Sequence, residues 1–182
     1  TLTLSGTLKF SAPENTLNGG NLLLNGGKLN VDENAAIASD LANQADSTVD
    51  VLFGKTLSYS GASLNVGDHR LTLTGDGTFS SSNALVLNDA DSVLKLDGPT
   101  EISQVEVSGV LTSGSGKLEV AQDVVIQTLL HPGSSRIDLA EGKRLTVREA
   151  FEVPANREME LVGAGSGVTL NEALTLSGTL RL

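Results

Sequence analysis

The 182-residue chain has no cysteine and no tryptophan, and its aromatic content is only 3%. The missing thiols exclude a disulfide scaffold, a thiolate metal site and a cysteine nucleophile. So few rings, four Phe and Tyr59, leave little to line a ligand pocket or to stack on sugars. Cationic residues are scarce too: 12 Lys and Arg against 22 Asp and Glu give a formal charge of -10, the wrong sign for nucleic acid or an anionic membrane. There is no apolar run long enough to span a bilayer and no signal-peptide pattern at the start. What is abundant is aliphatic: 39% of residues are hydrophobic, mainly Leu, Val, Ala and Ile, alongside 20 glycines.

These aliphatic residues alternate. Leu2/Leu4, Leu22/Leu24, Leu29/Val31, Leu57/Tyr59, Leu71/Leu73, Leu94/Leu96, Leu118/Val120 and Leu145/Val147 each bracket one small or polar residue, the period of a half-buried strand. Clusters such as Asn25-Gly26-Gly27, Gly75-Asp76-Gly77 and Gly114-Ser115-Gly116 separate them and supply turns. Only Asn34–Asp46 is alanine-rich enough for a helical turn, and even there Ile37 keeps strand spacing.

The pattern also repeats over a longer distance. Leu2-Thr3-Leu4-Ser5-Gly6-Thr7-Leu8-Lys9-Phe10 returns as Leu174-Thr175-Leu176-Ser177-Gly178-Thr179-Leu180-Arg181-Leu182. An intermediate copy begins at Ala84-Leu85-Val86-Leu87; Lys28–Val31 matches Lys117–Val120, Ile37 matches Ile126, Asp50, Gly54, Lys55 and Leu57 match Asp138, Gly142, Lys143 and Leu145, and Leu71–Gly75 matches Met159–Gly163. The unit is about 88 residues, giving approximate copies at 2–84 and 85–173 and the start of a third at 174–182. Drifting offsets are expected from turns that gain and lose residues while strands keep phase.

No linker separates the copies, which favours one continuous solenoid over tandem sandwiches. The expected fold is therefore all-β, a right-handed parallel β-helix of about eight coils of about 22 residues, roughly 40 Å long. Inward Leu, Val and Ile would stack in ladders. Thr1 in place of a methionine, and ends that stop inside a strand motif, point to a longer or processed parent carrying further copies.

The Leu-Thr-Leu-Ser-Gly and Leu-Thr-Leu-Thr-Gly motifs, with the Gly-Lys-x-Leu turn after Val49-Asp50-Val51 and Ile137-Asp138-Leu139, resemble the β-helical stalks of bacterial autotransporter passengers and filamentous-haemagglutinin-type adhesins. The resemblance covers the whole chain. It implies a structural or adhesive segment of a secreted or cell-surface protein, extracellular in location. The implied partners are further copies of the repeat, end-to-end or lateral self-association, and a host or matrix glycan or protein.

Candidate chemistry is thin, and no catalytic, cofactor or metal residue is assigned. Gly54-Lys55-Thr56 has the end of a phosphate loop, but the glycine needed five residues earlier is Val49 and the duplicate reads Gly142-Lys143-Arg144. Gly163-Ala164-Gly165-Ser166-Gly167 opens no helix and reads as a corner. His69 and His131 sit at unrelated phases. Asn88-Asp89-Ala90-Asp91-Ser92 is oxygen-rich enough for Ca²⁺ but follows no calcium-loop pattern. Asp123, Asp138 and Glu141 with Arg136 and Arg144 form the one carboxylate cluster a β-helix lyase or hydrolase could use. Asp50 and Asp138 lie a whole unit apart. Thr1/Thr3 and Thr72/Thr74 begin an outward threonine array that Lys95/Asp97, Glu106/Ser108 and Glu119/Ala121 do not continue. The expected function is thus a non-enzymatic stalk or filament module; the alternatives are a carbohydrate-active β-helix enzyme or tailspike-like depolymerase, and a calcium-dependent assembly module.

Overall fold

The computed structural model describes residues 1–89, 91–98, 100–107, 116–130 and 135–182, with the side chains of 100–107 and 135 outside the description. Every regular element in it is a strand, and every strand pair is parallel. Three strands make a coil, and each coil stacks on the one before. The first face begins with Leu2–Leu4, Asn21–Asn25 and Asp40–Ala45. The second is a nine-stranded sheet from Thr7–Phe10 to Thr179–Arg181. The third runs from Asn15–Leu17 through Ala35–Ile37 and Thr56–Tyr59 to Gly167–Leu170. Its strands number eight, so seven steps lead from its first coil to its last and the β-solenoid makes about seven turns.

Alternation is what closes the coil. Leu29 and Val31 are buried on either side of Asn30, Leu71 and Leu73 on either side of Thr72, and Leu118 and Val120 on either side of Glu119. Each pair lies over its counterpart in the next coil, as Leu71 and Leu73 lie over Leu94 and Leu96, so a single aliphatic ladder fills the interior. The alanine-rich stretch is two strands, Ala35–Ile37 and Asp40–Ala45, because Ile37 and Ala42 are paired on both sides by neighbouring coils. Ladder pairing outweighs alanine's high intrinsic helix propensity, as tertiary context does in general. The few rings are not excluded from the core: Phe10, Tyr59, Phe79 and Phe151 are buried in it.

The strands do not all keep phase. On the second face Leu73 pairs with Val49, so the inward pair Val49/Val51 is succeeded by Leu71/Leu73 two residues out of step. The same slip recurs four coils on, where Leu161 pairs with Ile137 and the inward pair Ile137/Leu139 gives way to Met159/Leu161. Both slips lie at the same place in their copies, Val49 matching Ile137 and Leu73 matching Leu161, so they leave the offset between copies unchanged. At each slip one strand end must pass over a position without an apolar partner. Ser47 and Ser135 face Leu71 and Met159 at one side, and at the other stand Gly75 and Gly163, where an added Cβ would overlap the carbonyl oxygens of Val51 and Leu139.

Candidate functional site

The polar residues that recur between the copies turn toward neighbouring coils. Lys28 Nζ lies 2.8 Å from Asp50 Oδ2, and in the second copy Lys117 Nζ lies 2.6 Å from Asp138 Oδ2. Lys55 Nζ reaches back 2.6 Å to Glu33 Oε2, and Lys143 Nζ donates over 3.1 Å to Gln122 Oε1. The Lys that follows Gly54 or Gly142 therefore ties one coil to the previous one. Asn34 Oδ1 accepts the Thr56 N–H at 2.9 Å, and Asp123 Oδ1 accepts the Arg144 N–H at 2.9 Å. Asp40 and Asp46 do the same for Ala62 and Arg70, at 2.9 and 2.8 Å. At these corners a carboxylate or amide oxygen replaces the missing ladder carbonyl for a strand about one coil later.

The candidate acidic cluster is divided between two faces. Asp138 and Arg136 pair on the second face, with Oδ1 and Nε 2.5 Å apart, while Asp123 and the Arg144 backbone are engaged at the start of the third. Glu141 is exposed at the intervening turn. Asp50 and Asp138 are four coils apart, about 20 Å.

The densest charge group is a chain of ion pairs on the second face. Arg70 grips Glu119 with both terminal nitrogens, at 2.6 and 3.1 Å, spanning two coil steps. Lys117 lies between Glu119 at 3.0 Å and Asp138 at 2.6 Å, and Arg136 between Asp138 and Glu160 at 3.3 Å. Hydrogen bonding to Arg70 holds the Glu119 carboxyl below its ordinary range, with Lys117 adding to the effect. For Asp138 burial acts upward, but the hydrogen bonds and charges of Lys117 and Arg136 outweigh it and the net shift is downward. Arg70 and Lys117 shift upward through the same hydrogen bonds. Every carboxylate in this chain has a cation on it. The downward shifts of Glu119 and Asp138 favour the ionised form, the opposite of what a general acid needs.

The remaining candidates have structural partners. His69 Nε2 sits 3.0 Å from the adjacent Asp68, and His131 lies outside the described residues. Ser92 is fully buried; its hydroxyl donates to Gly67 O and accepts the Asp89 N–H at 3.1 Å, closing the turn from within, while Asp89 and Asp91 are exposed and Ala90 lies outside the described residues. Among the described residues no three His, Asp or Glu converge to hold a metal ion. Gly163–Gly167 is a corner between Glu158–Val162 and the strand beginning at Gly167. Thr72 pairs with Thr48 on one side and Lys95 on the other, so charge interrupts the threonines.

Sequence reasoning overlooked the buried polar residues. Ser39 donates to Leu17 O and Gly19 O, and Asn43 occupies a core position where its amide donates to Val66 O and Arg70 O at 3.1 and 3.3 Å. Asn43 stands one residue beyond Ala42 at the phase of Leu24, and that polar break in an apolar column was the available signal. A cavity of about 640 Å³ lies at the open end of the ladder, lined mainly by apolar side chains such as Phe151, Leu170, Leu174 and Leu180, with Glu160, Ser166 and Arg181 also in its wall. No protein-family model, no curated protein and no solved structure matches the chain.

Proposed function

We propose that the chain is a structural β-solenoid segment, wound right-handed, that serves as a rigid stalk or filament module in a secreted or cell-surface adhesin of the autotransporter-passenger or filamentous-haemagglutinin type. The observation that carries this reading is the fate of the duplicated polar residues. Lys28–Asp50 and Lys117–Asp138, Glu33–Lys55 and Gln122–Lys143, Asn34–Thr56 and Asp123–Arg144 are the same coil-to-coil contacts made twice. Duplication has preserved what joins coil to coil, which is what a spacer requires and an active site does not. Right-handed winding follows from the steric rule for crossovers between parallel strands.

The mechanism is mechanical. Stacked aliphatic ladders resist bending, and the ends expose apolar edges, with Leu2 46%, Leu174 39% and Leu176 52% exposed. Such edges accept further coils, from the same chain or another copy. Small-angle scattering on the chain and on a fusion that continues from Leu182 into a second copy beginning at Ser11, so that a third-face strand follows Thr179–Arg181, tests the reading. The expected result is a rod whose length roughly doubles from about 40 Å at constant cross-section. A fusion that stays compact, or cleavage of an acidic polysaccharide by the purified chain, overturns it.

A further inference from the structure

Leu17-Asn18-Gly19-Gly20 and Leu24-Asn25-Gly26-Gly27 are the same four residues written twice, one set before and one at the end of the strand Asn21–Asn25. An asparagine followed by glycine is open to attack on its own side chain, because the next backbone nitrogen carries no Cβ beside it and can close a cyclic imide on the asparagine Cγ. The identical neighbours give both sites the same intrinsic reactivity. Both asparagines are exposed, so access to water does not separate them either. The hydrogen bonds of the backbone do.

Around Asn25 the attacking nitrogen is engaged. Asn25 pairs with Ala45 of the next coil, and the Gly26 N–H donates to Ser47 Oγ at 3.2 Å, while the Ser47 hydroxyl donates to Ala45 O at 2.8 Å. The residues that follow are fixed as well: Gly27 O accepts the Thr48 N–H at 3.2 Å, and the Lys28 N–H donates to Gly6 O at 2.8 Å. Asn18, by contrast, lies in the turn between Asn15–Leu17 and Asn21–Asn25. The buried Ser39 hydroxyl donates to Leu17 O at 3.3 Å and to Gly19 O at 3.0 Å, holding a carbonyl on either side of Asn18 but not the peptide nitrogen between them. Among the described residues no acceptor meets the Gly19 N–H, and a Cβ on Gly19 would have nothing within 4 Å.

We infer that Asn18 is a self-modification site, deamidated by water through a cyclic imide, and that the bond from Gly26 to Ser47 shields Asn25 from the same reaction. The Gly19 nitrogen gives its proton to solvent base and bonds to Asn18 Cγ, while the bond from Cγ to the side-chain nitrogen breaks and ammonia leaves. Water then adds to either carbonyl of the ring, giving aspartate or isoaspartate with no oxidation or reduction. Both products add a carboxylate. The isoaspartate also lengthens the main chain at the joint between the first and second coils, pushing apart the two carbonyls that Ser39 holds. The inference stands independently of the stalk reading, since it needs only these two turns. In the test the full chain is incubated in mildly alkaline buffer, sampled over time and digested with trypsin; both sites fall in the single peptide 10–28, where fragment masses read each separately. In the folded chain Asn18 is expected to convert roughly tenfold or more faster than Asn25, which must wait for local opening; in urea the two rates are expected to meet. Ser47→Ala is expected to speed Asn25 and leave Asn18 unchanged, which a general loosening of the fold would not do, and Asn18→Ser is expected to abolish the fast conversion while melting as wild type. Equal rates in the folded chain, a faster Asn25, an Asn18 that stays intact while the urea-treated chain converts, or an Asn25 rate that Ser47→Ala leaves untouched each overturns the inference.

Discussion

Leu73 shows how little freedom single residues have. It is 1% exposed and stacked between Val49 and Leu96. Leu73→Asp places a charge where no partner can reach it, and a loss of about 4 kcal/mol or more is expected, seen as a collapse of the urea midpoint; a soluble variant with wild-type melting would refute the register. Gly75 is constrained from the other direction. Gly75→Val is expected to cost about 2–4 kcal/mol, since its Cβ would overlap the Val51 carbonyl in a left-handed backbone at φ 96°, whereas Gly54→Asn, in open space at φ 71°, is expected to leave the melting temperature nearly unchanged. Much at this scale was legible in the sequence, because period-2 alternation sorts inward from outward wherever one face is buried. Leu29, Leu57, Leu94 and Leu145 all lie where alternation puts them. The polar roles were not legible: an Asp that receives a strand N–H one coil later and an Asp on open surface look the same when the partner is 21 to 24 residues away.

Among the elements, the second-face strands carry the ion-pair chain, and its pH dependence has a definite sign. Glu119 and Asp138 have depressed pKa values in the fold, so the stability they contribute is present above the ordinary carboxylate range and is lost as pH falls through the folded values. Thermal melts are therefore expected to fall on acidification below about pH 4, and Glu119→Gln/Asp138→Asn is expected to flatten that fall; identical profiles would show that these carboxylates carry no net stabilisation. At neutral pH the Arg70–Glu119 coupling, measured by a double-mutant cycle, is expected at about 0.5–1 kcal/mol because Arg70 is well exposed to solvent. The duplicated contacts were half legible. Their residues were matched by spacing, but the motif Gly-Lys gave no hint that the lysine reaches backward to Glu33 or Gln122. The acidic composition gains a partial explanation in Asp40, Asp46 and Asp123, which serve as acceptors at corners.

For the whole molecule, stability is a sum over coils and the interfaces between them, which makes it extensible and also uneven. Leu22 and Leu24 are fully buried in the second coil, yet Leu174 and Leu176, in the same motif as Leu2 and Leu4, are exposed because no later coil covers them. Hydrogen exchange is expected to be slowest in strands such as Arg70–Thr74 and Val93–Asp97 and fastest in Leu174–Leu176 and Thr179–Arg181; uniform protection along the chain would contradict additive stacking. Fusing residues 97–173 after Leu182, which continues the copy begun at 174–182, is expected to raise protection in those last strands. The long repeat made the architecture readable, but the register slip was not, because it recurs at the same place in both copies and leaves the offset between them unchanged.

The paired slips set a limit on what the second face can offer a long, straight partner. Between them lie four strands, Arg70–Thr74, Val93–Asp97, Lys117–Val120 and Ser135–Leu139, over which the apolar spine beneath the surface runs true. Beyond either end the spine jumps sideways by two residues, about 7 Å, and a file of side chains that had run along the middle of the face meets its edge. A fibre or extended chain lying flat here would keep step over three coil spacings, about 14 Å, before having to bend, skip or begin again, so the surface is metered in short lengths even though the rod itself is continuous.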